Sequence, residues 1–144
     1  MDYYLKEPIS NGNPREQALI RKWWHEKMGA KGTLVWEYCL EDRYLDAVLF
    51  LNNANSSMEA PGKNVAVLHP IKDETVVLCE AKENLNPELI GQAIVYKQLA
   101  LHAGAIVAEV IIFSERASES MYRVAKELGL TTEVLSNVSM CAAQ

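Results

Sequence analysis

The sequence predicts an α/β fold, a mixed central β-sheet flanked by helices in the order α-β-β-β-β-α-β-α-β. Three observations carry that expectation. Two helix starts share one device, an asparagine cap with proline at the first helical position, at Asn13-Pro14 and Asn86-Pro87. Apolar runs of strand length, rich in β-branched and aromatic residues, lie between and beyond them. Strands follow one another before residue 83 and alternate with helices after it. That order gives an antiparallel meander first and right-handed βαβ crossovers afterwards.

The first helix starts at Asn13. Glu16 stands at capping-box spacing from it, and Leu19, Ile20, Trp23 and Met28 recur at helical spacing until Gly29 and Gly32. Trp23 and Trp24 supply the bulk with which a short helix docks. TLVWEYCL (33–40) reads as a strand broken by Glu37. YLDAVLFL (44–51) is almost wholly apolar and is expected in the centre of the sheet. The polar stretch 52–64, rich in Asn and Ser, reads as a mobile loop. VAVLH (65–69) and TVVLCEAK (75–82) are expected to form a hairpin across PIKDE. A second helix runs from Asn86 to His102 and closes at Gly104. AIVAEVIIF (105–113) is a strand. A third helix, capped by Ser114 or Ser118, carries the stripe Ala117, Met121, Val124, Ala125 and Leu128 and stops at Gly129. LTTEVLS (130–136) is the last strand.

Residues 13–136 read as one domain, with a flexible leader at 1–12 and a tail at 137–144. A chain of 144 residues buries roughly two-thirds of its unfolded surface, so no disulfide is needed for a core. The three cysteines, Cys39, Cys79 and Cys141, have no zinc or redox spacing. Cys39 and Cys79 sit in apolar runs and read as core residues. Neither a signal peptide nor an apolar run of membrane length is visible, so the expected location is intracellular, in the cytoplasm, with no membrane partner. The formal net charge of −5 is spread evenly, which argues against a non-specific nucleic-acid coat but leaves room for a local basic groove. Candidate phosphate contacts are Arg43, Lys63, Lys72 and Lys97.

Three charges stand where strands should be apolar. Asp46 interrupts YLDAVLFL, and Glu80 and Lys82 end TVVLCEAK on one face of their strand. Unpaired burial of such groups costs several kcal/mol each, by order of magnitude, so they need shared partners or a cation. Carboxylate, carbonyl and water ligands suit Mg²⁺ or Mn²⁺.

An Asp, then Glu-x-Lys at a later strand end, then a helix, resembles the PD-(D/E)XK nuclease superfamily. Asp46 and the run Glu80-Ala81-Lys82 carry the first two motifs. Gln92-x-x-x-Tyr96 in the following helix looks like the Gln-x-x-x-Tyr motif of the RecB-like branch. Leu45 stands where the family's nominal motif has proline. The resemblance implies a restriction-endonuclease-like core and a metal-dependent nuclease acting on DNA in preference to RNA. Asp46, Glu80 and the Ala81 carbonyl would hold Mg²⁺ or Mn²⁺, and Lys82 would orient the attacking water. Gln92 and Tyr96, on one helix face, would steady Lys82 or the nucleic-acid strand. A carboxylate from the first helix often completes such a site. Glu16 leads, against its plain reading as a capping residue, with Glu37 and Glu26 as alternatives. Dimerisation, frequent among small nucleases of this type, would place two sites on two strands. The rival expectation is a module of the same fold that binds nucleic acid or protein without cleaving.

Overall fold

The structure is a computed structural model that describes residues 13–53, 56–59 and 68–135. The expected leader 1–12, tail 137–144, Cys141 and Lys63 lie outside the described residues, as do 54–55 and 60–64 of the polar stretch.

Helix α1 spans Pro14–Glu26. The Asn13 side chain accepts from the Arg15 N–H at 2.9 Å and the Glu16 N–H at 3.4 Å, satisfying donors that the first turn leaves open. Strands β1 (Thr33–Leu40) and β2 (Arg43–Phe50) form an antiparallel hairpin. Strand β3 is short, Ser57–Glu59. Strand β4 (Thr75–Asn84) leads to helix α2 (Pro87–His102), capped by Asn86. Strand β5 (Ile106–Arg116), helix α3 (Glu119–Glu127) and strand β6 (Thr131–Val134) complete the order. Ser118, rather than Ser114, caps α3.

The six strands make one mixed sheet in the order β3-β1-β2-β4-β5-β6. Strand β2 runs antiparallel to both β1 and β4, whereas β4, β5 and β6 are mutually parallel. The apolar run around Asp46 is therefore central, as its composition predicts.

Two apolar layers enclose the sheet. Ile20, Trp23 and Trp24 of α1 pack with Leu34, Trp36, Ala47, Leu49, Val77, Cys79 and Phe113. Trp23 meets Phe113 edge-on at 5.5 Å, and the Trp24 indole N–H donates to the Lys31 carbonyl at 2.8 Å. On the other face, Leu89, Ala93 and Tyr96 of α2 and Ala125 of α3 pack with Val35, Val48, Leu78 and Ile112. Cys79 is fully buried, as expected, but Cys39 is only half-buried, and its thiol faces the Glu41 carbonyl.

The expected hairpin of 65–69 with 75–82 is not formed. Residues 65–67 lie outside the described residues, and neither Leu68 nor His69 is in a strand. The reason is steric: β2 and β5 already occupy both edges of β4 from Val76 to Cys79. The third strand comes instead from inside the expected loop. Ser57–Glu59 pairs parallel to the outer edge of β1, and the Thr33 and Ser57 hydroxyls meet at 2.9 Å.

The β1–β2 hairpin changes phase midway. Leu34 and Trp36 face α1, but Tyr38 and Leu40 join Val35 on the opposite face. In β2, Ala47 and Leu49 face α1, while Leu45 lies on the far face with Val48 and Phe50. Both strands slip by one residue at the same place, Glu37 opposite Asp46, and the ladder resumes in the same register beyond it. Glu37 absorbs the slip with φ +48°, a left-handed conformation that costs a residue with a Cβ about 1–2 kcal/mol.

Candidate active site

The candidate site lies where β2 and β4 part. Their ladder ends at Ala47↔Cys79, whereas β4 stays paired with β5 as far as Asn84↔Arg116. Two side chains take over from the missing backbone bonds. The Asp46 N–H donates to Glu80 Oε1 at 2.8 Å, and the Ala81 N–H donates to Asp46 Oδ2 at 2.7 Å. The two carboxyl groups are thus brought side by side, each bound to a backbone N–H of the other's strand. A strand residue sends its N–H and C=O toward the same neighbour, so the Ala81 carbonyl faces this gap as well.

Burial sets the electrostatics. Glu80 is 5% exposed, and loss of water together with the adjacent Asp46 charge raises its pKa from 4.5 to about 9. Burial raises Asp46 too, opposed by the Ala81 N–H, the bond from Glu80 and the charge of Lys82. Glu80 therefore keeps its proton at neutral pH, the outcome that like charges at short range favour when no cation separates them.

Lys82 stands beside the pair and reaches Glu88, in the first turn of α2, at 3.8 Å. Glu16 approaches from α1. Burial raises its pKa first, and Asp46 and Lys82 are the next contributors, one raising and one lowering it. Glu37 lines one cleft with Glu16, Gln17 and Asp46. Glu16 and Glu37 therefore both stand in the cleft that Asp46 lines. Glu26 is excluded. It lies about 15 Å farther along α1, on a different cleft with Lys22, Trp23 and Phe113.

Tyr96 comes from the opposite face. Its ring is packed in the α2 layer and is 8% exposed. Burial raises its hydroxyl pKa, with Glu80 and Asp46 adding to the effect. Gln92 does not meet the carboxyl pair. Its amide donates to Glu88 at 3.4 Å and so reaches Lys82 only through that carboxylate.

Of the basic contacts expected, Arg43 lies close enough to lower the Tyr96 pKa and pairs with Asp42 at 3.9 Å. Lys97 is exposed on α2. Lys72 precedes β4 at its other end, about 23 Å of strand away from Lys82, and cannot serve this site.

Two participants escape sequence reading. Glu88 looks like an ordinary acidic first-turn residue. Glu115 is 7% exposed at the end of β5 and is held by Arg15 across 100 residues of chain; its only signal was a charge ending an apolar strand.

Among the described residues, no three His, Cys, Asp or Glu side chains are already gathered as a metal cage. The donor set nonetheless fits a hard divalent ion. The Glu80 proton is a positive charge that a cation can replace beside Asp46, and the Ala81 carbonyl faces the same gap. No helix among the described residues is long and apolar enough to cross a membrane. The chemistry of this site has to be read from its own residues, because no protein-family model, no curated protein and no solved structure matches the chain.

Proposed function

We propose that the chain is a metal-dependent nuclease of the PD-(D/E)XK type, RecB-like branch, with a restriction-endonuclease-like core, acting inside the cell on DNA in preference to RNA. The observation that carries this reading is the Asp46–Glu80 pair, a half-buried and a buried carboxyl that bond across the parting of two central strands, with Lys82 beside them.

Asp46, Glu80 and the Ala81 carbonyl would hold Mg²⁺ or Mn²⁺ in place of the Glu80 proton. When bound, such an ion polarises a phosphoryl oxygen and acidifies water. Lys82 orients the water and offsets negative charge building on the phosphoryl group. Its neighbour Glu88 holds the ammonium in the gap until substrate competes for it. Glu16, with Glu37 behind it, faces the pair from the α1 side and is the acid positioned to take up a proton or a water. Tyr96, packed in the α2 layer, lies near enough for both carboxyls to act on its hydroxyl.

The test is cleavage of single-stranded, duplex and branched DNA, and of RNA, with Mg²⁺ or Mn²⁺, alongside calorimetry of metal binding. Glu80→Gln is expected to weaken metal binding and abolish cleavage. Lys82→Ala is expected to abolish cleavage while metal still binds, more tightly than before because a nearby positive charge is gone. Undiminished cleavage by Lys82→Ala would overturn the mechanism. Metal binding with no cleavage of any nucleic acid would favour a catalytically silent binding module instead.

A further inference from the structure

We infer that the Arg15–Glu115 ion pair is a positioning clamp, which holds the first turn of α1 in the orientation that brings Glu16 to Asp46 and Lys82. The inference rests on the metal-site reading above. Glu115 lies at the end of β5, 7% exposed, and a carboxylate at that depth needs a partner. The partner comes from a helix rather than from a neighbouring strand. Arg15 Nε donates to Oε1 at 2.9 Å and Arg15 Nη2 to Oε2 at 2.7 Å. Two parallel bonds from a planar guanidinium fix rotation as well as distance, which a lysine could not do.

Arg15 immediately precedes Glu16. Fixing one side chain at the helix start therefore fixes the direction of the next, about 100° around the axis. The residue after Glu115 does the same for the other half of the site. Arg116 donates to Glu83 and, at 3.2 Å, to Asn84 Oδ1, at the end of the strand that carries Glu80 and Lys82. One strand end thus grips two of the elements that supply candidate site residues, α1 and β4. Arg15, Glu16, Glu83 and Glu115 line a single small cavity, the place where these elements meet.

The clamp is not needed for the helix itself. Asn13 already caps α1, and Ile20, Trp23 and Trp24 already dock it. Arg15 also offsets the charge of Glu115, a carboxylate close enough to Glu16 to raise its pKa.

The experiment compares the wild-type chain with Glu16→Gln, with the double variant Arg15→Met/Glu115→Leu, and with the triple combination. Replacing both ions by apolar side chains avoids stranding one buried charge, so the double variant keeps its melting temperature. Mn²⁺ affinity is read by calorimetry. The double variant is expected to bind about tenfold more weakly, the usual size for a supporting partner of a metal ligand. The triple variant is expected to bind no more weakly than Glu16→Gln alone, because the clamp acts only through Glu16. Unchanged affinity in the double variant, or losses that simply add in the triple one, would overturn the clamp. A wild-type chain that binds no Mn²⁺ would overturn the metal-site reading alone. Amide exchange then decides the clamp: faster exchange at residues 17–20 in the double variant, with β4 and β5 unchanged, supports it, and equal exchange overturns it.

Discussion

From Val76 to Cys79, β4 is paired by backbone ladders on both edges, and its side chains are buried among apolar groups. From Glu80 to Asn84 it is paired with β5 alone, and carboxyl side chains occupy the vacated edge. In the first half backbone groups bond to backbone groups on both sides, with one irregularity where the β5 register shifts between Val76 and Val77. The second half gives up ladder bonds to β2 and replaces them with bonds from Asp46 and Glu80. The replacement leaves the carboxyls with acceptor capacity to spare, pointed into the gap. A single strand thus separates stability from chemistry along its length.

Substitutions at the two ends test that separation. Leu78→Ala, at a site 1% exposed, is expected to lose about 3 kcal/mol of stability, read by urea unfolding, with metal affinity unchanged. Glu80→Gln is expected to change stability at neutral pH by less than about 1 kcal/mol, because the group it replaces is already uncharged there. A loss as large as that of Leu78→Ala would erase the distinction between the halves.

The pH dependence sharpens it. The folded protein keeps the Glu80 proton up to about pH 9, whereas the unfolded chain releases it near 4.5. Between those values the folded state binds more protons, so its metal-free stability is fullest below the lower one and falls as pH rises through the window. Asp46 and Glu16, both shifted upward, act in the same direction. Urea midpoints measured from pH 5 to 9 should decline in the wild type and decline less in Glu80→Gln. Equal slopes would show that no proton is held at Glu80.

Opposite the pair, Glu37 carries the local backbone cost. Glu37→Val is expected to lose about 1 kcal/mol or more, since a β-branched residue suits a left-handed conformation worst, while Glu37→Gly should gain about 0.5 kcal/mol. Thermal melts of the two variants check this. The smallest effect is expected at Tyr96→Phe, which keeps the packed ring and removes only the hydroxyl. Its stability should change by less than about 0.5 kcal/mol, and a larger loss would give that hydroxyl a structural role.

The sequence made the helix starts legible because capping is local: Asn13 and Asn86 bond to amides two or three residues away. The proximity of Asp46 to Glu80 was legible because charges in apolar strands have few places to go. The third strand was not. VAVLH has far more β-forming residues than Ser57–Glu59, but the expected partner had no room for it, since β2 and β5 close both edges of β4 from Val76 to Cys79, while β1 had an edge open to Ser57–Glu59. Nor was the phase change at Glu37 and Asp46 legible, since two matched slips leave the register intact and cancel in the pattern of pairs. Glu115 was hidden because its partner is fixed by tertiary packing alone.

Helices α1 and α2 both begin at the open end of the β2–β4 seam, one bringing Glu16 and the other Glu88 to Lys82. Each helix start carries about half an elementary charge of positive sign. Against the carboxylates gathered there, Asp46, Glu16, Glu37 and Glu88, those two half charges and the Lys82 ammonium offset part of the negative field without reversing it. In a chain with a formal net charge of −5, an anion entering the gap therefore gains most when a cation enters with it, and salt damps the remaining repulsion beyond about 10 Å at 0.1 M ionic strength.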